Sequence, residues 1–186
     1  MAVVVAAAVL VLPRLLSSGG GPAGNSPAGT STTAASQSGP AGAIEVFGVA
    51  TTKAHCPAAS VAGAGAACVT TPECWFGVND FNGVISATAV ACTHSHTWQT
   101  FAIALMPSDV ATFNVNLVQA NPTVQALCSA KVLLASRTGA ALRVPKSAWK
   151  IQVMPPDEAA YNTGVRTVRC LAGHGLDALK SAQFGP

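Results

Sequence analysis

The chain has 186 residues, of which 50% are hydrophobic and only 9% charged, with a formal net charge of +3. At roughly 100 to 200 residues per domain this is room for one domain with flanking segments, and a second domain would be forced. A charge of +3 is too small to gather phosphates, which excludes a nucleic-acid binder, and a charged fraction far below the usual value of about 25% places part of the apolar excess in a membrane segment or alanine-rich padding.

Residues Ala2 to Leu12 form an unbroken apolar run, followed by Pro13, Arg14 and the small residues Ser17, Ser18 and Gly19. The run has the length of a signal-peptide core, roughly 7 to 15 residues. It is shorter than the roughly 20 residues that span a bilayer, and no Lys or Arg precedes it; one further turn and a basic flank upstream would make it an uncleaved anchor. A buried core helix is the third reading. Residues 1–16 are therefore expected to be a signal anchor or signal peptide. Six cysteines, an even number, agree with export, because disulfides persist only outside the reducing cytosol. The expected location is the cell membrane, through a single N-terminal anchor with the domain extracytoplasmic, or the exterior if the segment is cleaved.

Residues 17–43 are Gly, Ser, Pro, Ala and Thr with Asn25 and Gln37, without a charge or an aromatic ring. No apolar burial there offsets the entropy of ordering a backbone, so the tract reads as a disordered linker holding its ends roughly 30 Å apart. The folded domain is expected over 44–176, with a C-terminal tail over 177–186. Its first part, Lys53 to Glu73, is loop-like and carries Cys56 and Cys68. Trp75, Phe76, Val78 and Phe81 then precede Asn82-Gly83, a tight-turn dipeptide.

Val84–Cys92 and Thr97–Leu105 are predicted strands, joined by the polar Thr93-His94-Ser95-His96. In the second, alternation puts Trp98, Thr100, Ala102 and Ala104 on one face and Gln99, Phe101, Ile103 and Leu105 on the other. Asn121-Pro122 is a cap and a first-turn proline for a helix from Pro122 to about Ala135, whose Val124, Leu127, Cys128 and Val132 point inward. Trp149–Met154 alternates as a strand, with Trp149, Ile151 and Val153 on one face, until Pro155-Pro156 stops it. Gly164 starts a last strand through Leu171. This order predicts an α+β fold: a small antiparallel sheet covered by one main helix and stapled by disulfides.

Chemistry has one candidate cluster. Cys92, His94 and His96 alternate along an extended segment, and their side chains are zinc-ligand types. A fourth ligand, Cys128 or His55, would have to arrive through the tertiary fold. A thiolate beside an imidazole would also be a nucleophile, but it needs a free cysteine, and no Gly-x-Ser-x-Gly elbow or cysteine-hydrolase signature is present. The main expectation is a non-catalytic domain without cofactor or metal. Between Val110 and Pro156 stand Lys131, Arg137, Arg143, Lys146 and Lys150 but no Asp or Glu, which is either a face for an anionic surface or a set of solvated charges.

The stretch from Cys74 to Cys170 resembles the septum formation domain, a small extracytoplasmic domain of actinobacterial membrane proteins. Cys74, Cys92, His96, Cys128, Pro156, Tyr161, Gly164, Arg166 and Cys170 fall in the places of that pattern. Ser95, Gln99 and Tyr161 depart from its usual proline, acid and tryptophan. The resemblance covers roughly half the chain and implies membrane anchoring, a connection with septum formation or the cell envelope, and an unknown envelope or division protein as partner. His96 and Arg166 are its candidate interaction residues, and no catalytic residue is carried over. An anchor, linker and exported domain also look like the sensor half of a truncated receptor serine/threonine kinase. The third function is a metal-dependent or thiol enzyme using Cys92, His94 and His96.

Six cysteines allow fifteen connectivities. The preferred set is Cys56 with Cys68, closing a loop poor in large apolar residues; Cys74 with Cys92, across neighbouring strands; and Cys128 with Cys170, tying the helix to the last strand.

Overall fold

The computed structural model describes residues 47–81, 84–110, 113–174 and 179–186. The apolar run, the linker and the Asn82-Gly83 turn lie outside the described residues. Seven strands are described: β1 (Thr51–Thr52), β2 (Cys68–Val69), β3 (Cys74–Phe81), β4 (Val84–Val90), β5 (Trp98–Leu105), β6 (Lys150–Met154) and β7 (Thr167–Gly173). The last five form one antiparallel sheet in the order β4-β3-β5-β7-β6, and β1 pairs with β2 in a separate two-stranded sheet. Four short α-helices are described: α1 (Val115–Ala120), α2 (Pro122–Leu127), α3 (Ala130–Ala135) and α4 (Glu158–Asn162). The fold is α+β, as the sequence predicts.

The main helix is bent rather than continuous. Asn121 opens α2, its Oδ1 accepting from Thr123 N and Val124 N (2.9 and 3.4 Å). Cys128 then leaves helical geometry, and Ser129 caps a new helix by accepting from Val132 N. A side-chain cap competes with the helix's own ladder, so an internal serine becomes a second start. Val124, Leu127, Cys128 and Val132 are buried against Phe101, Ala102, Ala104, Val168 and Ala172 of the sheet. The alanines on the sheet side let the helices approach closely.

Three disulfides hold these parts, Cys56–Cys68, Cys74–Cys92 and Cys128–Cys170, with Cα separations of 5.5, 5.2 and 5.1 Å. These are the preferred pairs, and they consume all six cysteines.

Four expectations are corrected. Strict alternation fails in β5: Thr100 pairs with Leu171 and Ala102 with Cys170, so Phe101 is an extra residue. A bulge resets the side-chain register, which is why Phe101 shares one core cluster with Ala102 and Ala104. The last strand starts at Thr167, not Gly164, because Gly164 N donates to Tyr161 O and Val165 N to Ala160 O, closing a helical exit first. The segment from Lys53 to Glu73 is not all loop: it holds a short helical turn at Pro57–Ser60 and β2.

The fourth concerns the supposed tail, 177–186, which contributes Leu179, Gln183 and Phe184 to the buried interior. Phe184 is 4% exposed and packs on Phe101 and Trp149, with ring centroids 5.9 and 5.3 Å away. The fully buried Gln99 fixes the segment in place, donating from Nε2 to Phe184 O (3.2 Å) and accepting at Oε1 from Gln183 N (2.7 Å). An amide can donate and accept at once, whereas a carboxylate only accepts. That gives a physical reason for glutamine at this position.

Candidate functional site

The residues singled out for chemistry do not assemble into a site. Cys92 is bonded to Cys74, so it offers neither a thiolate nucleophile nor a thiolate ligand, and Cys128 is likewise taken by Cys170. His94 is exposed. His96 has no exposed surface; its Nδ1 donates to His94 O (2.8 Å), and its backbone pairs with Leu179. A buried ring does not present itself to a partner, so His96 is a core residue and its reading as an interaction residue is corrected. Its Nε2 has no hydrogen-bond partner among the described residues. No three His, Cys, Asp or Glu side chains among the described residues are grouped to hold a metal ion.

The basic run is also divided. Arg137 points its guanidinium at the carbonyls of Leu134, Ala141 and Val144 (3.2, 3.4 and 3.0 Å), closing the end of α3. Lys131, Arg143, Lys146 and Lys150 remain exposed.

Arg166 is exposed, but its contacts are local. Its guanidinium lies 3.6 Å from the Tyr161 ring centroid, and Nη1 donates to the carbonyls of Tyr161 and Val165 (2.6 and 3.0 Å). Gly164, at φ +97°, takes the left-handed conformation that closes α4. Tyr161, Gly164 and Arg166 therefore form one clamp that fixes α4 against the start of β7. On its other side Tyr161 meets Phe113, with ring centroids 5.3 Å apart.

The clamp forms part of a larger feature. Pro155 and Pro156, both buried, end β6 because proline supplies no ladder donor, and they lead the chain into α4. Asp157 caps α4, its Oδ1 accepting from Ala160 N (2.7 Å). Beside these prolines lie two hollows of about 350 and about 480 Å³, which share Val84, Ile85, Pro155, Pro156 and Asp157. Phe113, Val115 and Glu158 continue the first; Trp75, Met154 and Arg169 continue the second. Together they make an apolar trough on the sheet face opposite the main helix.

The charges of the trough are unequal. Arg169 is engaged with Glu73 in a two-pronged ion pair (2.9 and 3.1 Å). Asp157 and Glu158 stand exposed at the rim. Neither hollow is lined by histidine or cysteine. A third hollow, of about 430 Å³, lies against Gly63–Gly65 and Met106–Asp109, where the Asp109 carboxylate already accepts from Asn121 Nδ2 (3.2 Å to each oxygen).

The sequence did not reveal the trough because its walls come from separate segments: β4, the start of α1, Pro155–Ala159 and β7. Among known proteins, the chain matches no family model, no curated protein and no solved structure. Among the described residues no helix is long and apolar enough to cross a membrane, and the Ala2–Leu12 run lies outside them.

Proposed function

We propose that the chain is a membrane-tethered, extracytoplasmic, non-catalytic interaction domain, connected with septum formation or another envelope process. The observation that carries this reading is the pairing of all six cysteines in three disulfides. Such a framework persists in an oxidising compartment and leaves no thiol for catalysis or metal binding. The apolar run at the start of the sequence supplies the tether, and the trough supplies a surface on which a partner can rest. The link to septum formation is what the resemblance of the Cys74 to Cys170 stretch to the septum formation domain implies, carried by Cys74, Cys92, Cys128 and Cys170 with Gly164 and Arg166.

The test combines topology with thiol chemistry. The full chain is fused at its C-terminus to a reporter that is active only outside the cytoplasm, and the purified, denatured protein is titrated for thiols before and after reduction. The expected result is an active reporter in the membrane fraction and no free thiol until reduction. An inactive reporter, or a thiol at Cys92 that reacts in the native protein, overturns the reading.

A further inference from the structure

We infer that the free edge of β4 receives an extended peptide carrying alternating apolar side chains and a basic residue, which adds a strand to the sheet and fills the trough. The inference rests on reading the domain as an interaction module and names the chemistry of its partner.

Edge strands expose unpaired backbone groups, and proteins ordinarily guard them with lysine, proline, a bulge or brevity. The far edge, β6, is guarded: it has five residues, begins at the exposed Lys150 and runs into Pro155-Pro156. In contrast β4 has seven residues, Val-Ile-Ser-Ala-Thr-Ala-Val, with no charge and no proline. The irregularity in the hairpin lies on its partner β3, between Phe76 and Asn79 at the left-handed Gly77, so the extra residue is on β3 and not on β4.

The register shows which groups are free. Trp75 O accepts from Thr97 N, so Trp75 turns its backbone toward β5. Its cross-strand partner Ala89 must then turn its own N–H and C=O outward. Alternation gives the same direction to Ala87 and Ile85. These residues share the sheet face of Trp75, which is the face of the trough. A strand laid on this edge would make main-chain hydrogen bonds to Ile85, Ala87 and Ala89, and its alternate side chains would reach the hollows beside Ile85, Phe113 and Pro156. Main-chain bonds supply affinity in this mode and side-chain pockets supply specificity.

Charge selects the peptide. Asp157 and Glu158 stand exposed at the rim, and the basic group that lines the trough, Arg169, is held by Glu73. A lysine or arginine in the incoming strand meets acids there, and an acidic strand is repelled.

The test selects peptides from a displayed random library on the full-length, disulfide-intact chain, then measures binding of an enriched, fluorophore-labelled peptide by anisotropy. The expected peptides alternate apolar residues and contain Lys or Arg. Ala89→Pro removes one outward donor and leaves the β3 ladder intact; it should weaken binding about tenfold. Ala89→Lys, which keeps the backbone, should weaken it as well, and secures the result if the proline variant misfolds. Asp157→Asn with Glu158→Gln retains the α4 cap and should weaken binding about threefold at low salt, with less effect at high salt. No enrichment, or enriched peptides indifferent to both Ala89 variants, overturns the β4 proposal and leaves the interaction reading in place. A wild-type dimer that either Ala89 variant dissociates assigns the edge to a second copy and also overturns it. A free thiol at Cys92 in the same preparation would instead bring down the interaction reading itself.

Discussion

Two strands of equal length have opposite fates in this domain. β3 and β5 each have eight residues and both carry tryptophan and phenylalanine. In β5 the residues from Gln99 to Ala104 are all buried, whereas in β3 only Cys74 is. The difference is position. β5 lies between β3 and β7, with the helices on one face, and Gln99 is buried because the C-terminal segment supplies both its hydrogen bonds. β3 touches β5 only at Cys74 and Trp75, then runs outward with β4. Phe76, Phe81 and Val84 on that hairpin are 53%, 76% and 63% exposed. An aromatic strand thus serves as core or as display surface according to what the rest of the chain places on it.

The strongest way to break this comparison is to loosen the centre. Cys128–Cys170 closes the longest of the three loops, with a sequence separation of 42. Replacing both residues by alanine should cost roughly 4 kcal/mol in the chain-entropy model, read as a lower midpoint in urea unfolding. A loss below about 1 kcal/mol would mean that the packing of α2 and α3 on β7 holds without the crosslink.

The second perturbation tests the C-terminal segment. Phe184→Ala removes a ring packed on Phe101 and Trp149 and should cost about 3 kcal/mol. Chemical denaturation measures it. An unchanged midpoint would return residues 179–186 to the status of a tail.

How much of this was legible follows from how far each signal travels along the chain. Alternation and turn chemistry are local, so the strands around Val84, Trp98 and Lys150 were readable within a residue or two, as was the capped start at Asn121. The sequence alone left fifteen cysteine connectivities; the preferred pairs rested on a short loop closure for Cys56–Cys68 and on neighbouring elements for Cys74–Cys92 and Cys128–Cys170, and these are the pairs that form. The segment ending at Phe184 was not, since two isolated apolar residues, Leu179 and Phe184, give no periodicity, and their burial is decided by Gln99, His96 and Trp149 far away in sequence. His96 failed for the same reason: in a polar connection it reads as exposed, and only pairing with Leu179 hides it. Of the site, the sequence offered Pro156, Tyr161, Gly164 and Arg166 as a spacing. That these build a clamp beside a trough requires Phe113 and Val84, which no local pattern joins to them.

The mildest perturbation sharpens the comparison most. Phe81 is the last residue of β3, more than three-quarters exposed, and pairs with Val84, the first residue of β4. In the centre of the sheet a phenylalanine-to-serine change would open a cavity and strand a hydroxyl, costing several kcal/mol. At Phe81 nearly all the ring already meets water, so little transfer free energy is lost. Ser86 and Thr88 on the same strand pair show that polar side chains fit this surface. Phe81→Ser should therefore shift stability by no more than about 0.5 kcal/mol, as surface substitutions generally do. Urea unfolding with tryptophan fluorescence measures that shift, and light scattering at high protein concentration measures self-association, which should fall or stay the same because an exposed apolar group has gone. A loss above about 2 kcal/mol would place Phe81 in the core and remove the distinction between the buried strand and the displayed one.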